Sequence, residues 1–114
     1  MIKIAQEQPS AGIYSGERTI DGLVVMYKGA PLTKLLALDE TSNDDFEWGY
    51  EGDSPARLAH ALLLHRTGDP AVADAFSIRL MVQFVAKLNN EWEVREGQLD
   101  RLIEEIQQST PALS

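Results

Sequence analysis

The residues of this chain that could do chemistry fall into three groups. The first is a run of carboxylates. Asp39, Glu40, Asp44, Asp45, Glu47, Glu51 and Asp53 lie in a stretch with no lysine or arginine. Such a run could hold a divalent cation, but a calcium loop needs carboxylates at set offsets around a turn-forming glycine, with a distal bidentate glutamate. Asp44, Asp45, Glu47, Gly49 and Glu51 do not keep that spacing, and a charge run is ordinarily a solvated face. The second group is Phe46, Trp48 and Tyr50. In a strand these rings share one face, with Glu47 and Glu51 on the other. The reading is rings over a core and acids toward water; the alternative is an aromatic, acidic groove for a ligand or partner. A helix start beside the Gly49–Gly52 turn could hold a phosphate, but Glu47, Glu51 and Asp53 around it repel anions. The third group is His60 and His65, the two histidines. Five helical positions put them about 140° apart, so they cannot chelate one ion as an i,i+4 pair does. They read as surface or hydrogen-bonded histidines.

There is no cysteine, which excludes disulfides, thiolate metal sites and cysteine nucleophiles. The chain contains no Gly-x-Ser-x-Gly, Ser-x-x-Lys, P-loop or dinucleotide fingerprint. The expectation is no catalytic residue, no metal and no cofactor.

Charge says more than chemistry. Eighteen acids against ten bases give a net charge of −8 and a pI near 4.6. Direct nucleic-acid binding is disfavoured, because phosphate contacts need clustered lysine and arginine. The excess is concentrated in residues 39–53 and in residues 89–114, where Glu91, Glu93, Glu96, Asp100, Glu104 and Glu105 face only Arg95 and Arg101.

The elements that must position these groups follow from periodicity and punctuation. The 114 residues are 44% hydrophobic and 25% charged, ordinary for one globular domain. Ile13 to Ile20 reads as a strand ending in an Asp21-Gly22 hairpin turn. Leu23–Tyr27 is its partner, and Leu35–Leu38 a third strand or a helical turn. Ile2–Ala5 can add an edge strand. Ser54 as N-cap, Pro55 at the first position and Gly68 at the end frame a helix over 55–67. Leu58, Ala59, Ala61, Leu62, Leu63 and Leu64 surround it, which predicts burial. Asp69-Pro70 opens a second helix to about Leu88, with Ala71, Ala75, Ile78, Met81, Val82, Phe84, Val85 and Leu88 on its apolar arc. Glu91–Val94 alternates like a short strand. A third helix over Gln98–Gln108 carries Leu99, Leu102, Ile103 and Ile106 on one face. The predicted fold is α+β: an N-terminal antiparallel β-meander packed against a layer of about three helices, in one domain over 1–108 with a frayed tail at 109–114. No apolar run reaches the ~18 residues of a membrane span. The polar start Met1–Glu7 is unlike a signal peptide, so the expected location is cytoplasmic.

Phe46-Glu47-Trp48-Gly49-Tyr50-Glu51-Gly52, followed by Pro55-Ala56-Arg57-Leu58-Ala59 and Ala61-Leu62-Leu63, resembles a family of small proteins of unknown function found in phages, prophages, bacteria and archaea. Its pattern is Phe-x-Trp-Gly-Tyr-x-Gly, a short turn, then Pro-Ala-x-Leu-Ala and an apolar helix. Tyr14-Ser15-Gly16-Glu17-Arg18 and Trp92 match its ends, so the resemblance spans about 13–106. Where the family often has Gly-Ser-Gly before the proline, this chain has Gly52-Asp53-Ser54. The resemblance implies one complete domain and assigns no activity.

These readings converge on a non-catalytic binding protein of phage or mobile-element type. It would set an acidic surface against a basic surface of a host protein, as nucleic acid would; anti-CRISPR inhibitors are similar in size and charge. The expected partner-binding residues are Asp39, Glu40, Asp44, Asp45, Glu47 and Glu51, with Glu104 and Glu105 of the last helix. Two alternatives stand beside this reading. One is a homo-oligomeric module pairing through Leu99, Leu102, Ile103 and Ile106. The other is a small ligand-binding domain or enzyme using the Phe46–Tyr50 region.

Overall fold

The computed structural model describes residues 12–20, 22–36 and 46–109. β-Branched and aromatic residues build β1 (Ile13–Thr19) and β2 (Gly22–Tyr27), a hairpin in which Thr19 pairs with Gly22. The closing pair puts Gly22 in the strand, whereas the sequence suggests it as the second residue of an Asp21-Gly22 turn. A two-residue β3 (Ala30–Pro31) pairs with β2. Trp92–Arg95 forms β4, as its alternation predicts, and pairs antiparallel with β1. The sheet order is β3-β2-β1-β4.

The expected third strand is corrected in part. Leu32–Leu35 is a single helical turn, α1, closed by Leu36 N–H donating to the Leu32 carbonyl at 3.0 Å. Pro31 ends the sheet before it, and Leu32 and Thr33 are buried. Ala37 and Leu38, the Ile2–Ala5 strand and residues 110–114 lie outside the described residues.

Helix α2 (Asp53–Thr67) starts earlier than the punctuation indicates. Gly52 occupies the N-cap and Ser54 and Pro55 lie inside the first turn. The missing proline N–H is harmless there, because first-turn N–H groups have no intrahelical acceptor. Gly68 closes the helix at φ +70°, with its N–H on the Leu64 carbonyl at 2.8 Å, the left-handed stop that glycine favours. Asp69 caps α3 (Pro70–Gln83) through Ala71 N–H at 2.9 Å, with Pro70 in the first turn.

Helix α3 stops short of Leu88. Phe84 leaves helical geometry and Val85–Lys87 forms a 3-10 turn. The Val85 carbonyl accepts the N–H of Gly49 at 3.0 Å, so a tertiary bond takes this segment out of the helix. The apolar arc of α3 also needs correction. Ala73, Leu80 and Met81 face the core, whereas Ala71 and Ala75 are exposed and Ile78 is 60% exposed. Several small apolar residues at helical spacing fit more than one face, and packing against α2 selects the Leu80 face.

Helix α4 (Glu96–Ser109) begins two residues before the sequence reading. The Gln98 side chain accepts Arg95 N–H at 3.1 Å, one half of a capping box. Leu99, Ile103 and Ile106 are buried in the core with Leu58, Leu62 and Leu63 of α2 and Tyr14 and Val25 of the sheet. The face expected to pair subunits therefore belongs to the core.

Candidate functional site

Segment 46–52 is no strand. Phe46 and Trp48 are buried, but Tyr50 turns outward and is 50% exposed. The alternation fails at Gly49, whose φ of +91° lies in the left-handed region; a Cβ there would meet the Leu88 carbonyl at 3.3 Å.

Trp48 is the hub. Its indole N–H donates to the Asn90 carbonyl at 3.2 Å, and its ring meets Trp92 edge-to-face with centroids 5.7 Å apart. Arg18, at the end of β1, lies 5.0 Å from the Trp48 ring centroid. Its Nη1 donates to both Glu47 carboxylate oxygens at 2.9 and 3.2 Å, its Nη2 to the Trp48 carbonyl at 3.0 Å and its Nε to Asn90 Oδ1 at 3.1 Å. Trp92 lies over Gly16, where a Cβ would be 2.3 Å from its Nε1. These contacts tie β1, segment 46–52 and the approach to β4 into one unit.

Above that unit opens a cleft of about 840 Å³, with Tyr50 and Gly49 on one wall and Leu88 to Glu91 on the other. A second groove of about 440 Å³ shares Glu91 and adds Glu17 and Glu93. A third, of about 310 Å³, shares Glu93 and adds Arg101 and Glu105. The three adjoin along β4, and Glu17, Glu91, Glu93 and Glu105 are exposed along them. Among the described residues none of these four carboxylates is in an ion pair.

A separate network joins the sheet to α2 and α4. Tyr14 OH lies 2.7 Å from His65 Nδ1, and Tyr27 OH donates to Glu96 Oε1 at 2.5 Å. Arg66 bonds Glu96 at 3.3 Å and holds both oxygens of Asp100. Burial, with Tyr27 beside it, holds the Tyr14 phenol well above its ordinary range. Burial and the Arg66 charge push the His65 imidazole below its usual 6.5. The bond from Arg66 lowers Asp100, and the bond to Glu96 raises Tyr27. Tyr14 OH and His65 Nδ1 thus share one hydrogen bond, with the imidazole tautomer setting which of the two donates.

This fixes a pH dependence. Below pH 6.5 the unfolded chain protonates His65 while the native state resists, so the unfolded state binds more protons and stability falls with acidification. Above pH 10 the unfolded chain ionises Tyr14 before the native state does, and stability falls again. His65→Gln, which keeps an acceptor for Tyr14, should flatten the decline between pH 7 and about 5 in urea unfolding. Equal slopes for both proteins would contradict this assignment.

The expected site residues are dispersed. Asp39, Glu40, Asp44 and Asp45 lie outside the described residues. Glu47 is partly buried and bonded to Arg18 rather than facing water freely. Glu51, Glu104 and Glu105 are exposed. His60 bonds Asp74 of α3 at 2.7 Å. Among the described residues no three His, Asp or Glu side chains come together to hold a metal ion, and no helix is long and apolar enough to cross a membrane. Sequence reasoning missed Glu17, Glu91 and Glu93, because only the β1–β4 pairing makes them neighbours. The glycine inside β1 was a usable signal of close approach.

The fold defines a small α+β domain, with a four-stranded antiparallel sheet against three long helices. Residues 14–105 match a family of unknown function, DUF6166, and the chain belongs to that family. No curated protein and no solved structure gives a significant match.

Proposed function

We propose that this protein is a non-catalytic binding domain that sets an acidic surface against a basic surface of a partner protein. The observation that carries this reading is the acidic track along β4, where adjoining grooves share Glu91 and Glu93 and extend to Glu17 and Glu105. Glu17 and Glu93 lie two register positions apart on the β1–β4 pair, in one groove, with no internal partner among the described residues, which fits a surface arranged for an external cation. Complementary potential speeds encounter and selects against wrong partners.

Within this reading the chain is of phage or mobile-element type and acts in the host cytoplasm. Its partner is a host protein with a basic, nucleic-acid-binding surface, which it blocks as anti-CRISPR inhibitors block theirs. Glu105 lines the track, Glu51 and Glu104 are exposed elsewhere on the described residues, and with Asp39, Glu40, Asp44 and Asp45 they add charge to the same chain. Direct nucleic-acid or membrane binding does not fit a net charge of −8. The oligomer reading lacks its α4 face, which is in the core.

The test is capture of a basic protein from a bacterial extract at low salt. Wild type should retain it stoichiometrically, and Glu91→Lys, Glu93→Lys, Glu105→Lys combined should lose it. A single Gln83→Lys on exposed α3 should not. Equal capture by wild type and the triple variant would refute the surface assigned here.

A further inference from the structure

The groups left unengaged in the cleft above Trp48 define what it can receive. Arg18 is on its wall, but its guanidinium is already bonded to Glu47, the Trp48 carbonyl and Asn90. Its charge is neutralised, so the cleft is no anion receptor. The Trp48 ring is fully buried and its N–H is held by Asn90, so it offers neither a stacking face nor a donor. The Gly49 N–H is held by Val85. What remains is the half-exposed ring of Tyr50, the exposed side chain of Asn89 and the exposed carboxylate of Glu91, none bonded to another described residue. An aromatic face, an amide and an unpaired carboxylate together select a cation, and a planar one best. A guanidinium stacks flat on an aromatic ring while bonding a carboxylate through two N–H groups in its own plane, whereas an ammonium has no plane to stack and contacts each only as a point charge.

The cleft is also held ready. The Gly49–Val85 hydrogen bond ties one wall to the 3-10 turn that leads into the other, and the Tyr50 ring lies against Gly52, where a Cβ would be 3.0 Å from Cε2. That contact fixes one side of the ring. At about 840 Å³ and open to solvent, the cleft admits a side chain that is still part of a folded partner. Glu17 and Glu93 in the adjoining groove add negative potential at its mouth.

We infer that this cleft is an anchor site for an arginine side chain of the partner, with Tyr50 as the stacking face and Glu91 as the counter-ion. The inference deepens the acidic-surface reading and rests on it for the nature of the partner. It differs in naming one pocket and one residue type, where the track alone specifies only charge.

The tripeptides Gly-Arg-Gly, Gly-Lys-Gly and Gly-Glu-Gly, titrated into isotopically labelled full-length protein and followed by amide chemical shifts, test it. The arginine peptide should shift Gly49, Tyr50, Asn89, Asn90 and Glu91 saturably, and the lysine peptide should bind several-fold more weakly. The glutamate peptide should not bind. Tyr50→Ala and Glu91→Gln should each weaken the arginine peptide by about threefold to tenfold, while Asp74→Asn, exposed on α3 away from the cleft, leaves it unchanged. Both substitutions are at exposed positions, and preserved dispersion of the remaining signals reports that the variants fold. Equal arginine and lysine shifts spread over all exposed carboxylates, or an unchanged Tyr50→Ala titration, would overturn the anchor while leaving the acidic-surface reading standing. A saturable arginine site in a protein that captures no basic partner would uphold the anchor and overturn that reading instead.

Discussion

Trp48→Ala should destabilise the protein by about 3–5 kcal/mol, the range for removing a fully buried large aromatic. Trp48 has no exposed surface, and three separate interactions end on its side chain: the edge-to-face contact with Trp92, the Arg18 guanidinium over its ring and the hydrogen bond to the Asn90 carbonyl. Truncation leaves a cavity beneath Arg18 and an unpaired carbonyl at Asn90. A domain of this size has about 5–15 kcal/mol in total, so the variant should unfold at far lower urea. Tyr50→Ala, two residues away on the half-exposed ring, should cost less than about 1 kcal/mol. Urea midpoints of the two variants make the comparison. A Trp48→Ala loss below about 1 kcal/mol would show that segment 46–52 is peripheral.

Gly16→Ala should cost about 1–3 kcal/mol, although alanine is the better residue for an ordinary strand. Gly16 pairs with Val25 on one side and Trp92 on the other. An added Cβ would lie 2.3 Å from Trp92 Nε1 and 2.5 Å from Cε2. These atoms belong to a rigid ring that itself packs on Trp48, so the ring cannot give way alone. The same packing leaves Trp92 Nε1 with no hydrogen-bond partner among the described residues, so the site is already constrained. Combining Gly16→Ala with Trp92→Leu removes the obstruction, and the double variant should lose less than the sum of the singles by about 1 kcal/mol or more. Strict additivity in thermal or urea unfolding would show that the two residues do not share this space.

Much of the fold was legible because punctuation and periodicity are local signals. Gly68, Asp69-Pro70 and the alternation of Glu91–Val94 placed α2, α3 and β4 close to where they lie. What failed were choices that only tertiary contacts make. The face of α3 was set by packing against α2, which left Ile78 outside. The end of α3 was set by the Gly49–Val85 bond. Leu35 sits in a helical turn, an outcome the sequence left open because a four-residue apolar run carries no period.

The candidate site was less legible for the same reason. Local density of acids pointed to residues 39–53, whereas the described track is assembled from β1, β4 and α4 across large sequence separations. Glu47 shows the limit of composition most clearly. It belongs to the acid-rich run, yet its carboxylate is bonded to Arg18.

The association rate with the captured basic partner, measured against ionic strength, tests the central claim most directly. Electrostatic steering raises encounter rates by about 10- to 1,000-fold, an advantage that salt removes. The wild-type rate should therefore fall by about tenfold or more from low to physiological salt. The Glu91→Lys, Glu93→Lys, Glu105→Lys variant should start near the high-salt wild-type rate and change little. A wild-type rate that ignores salt, or a triple variant that associates as fast as wild type at low salt, would contradict an acidic track as the binding surface.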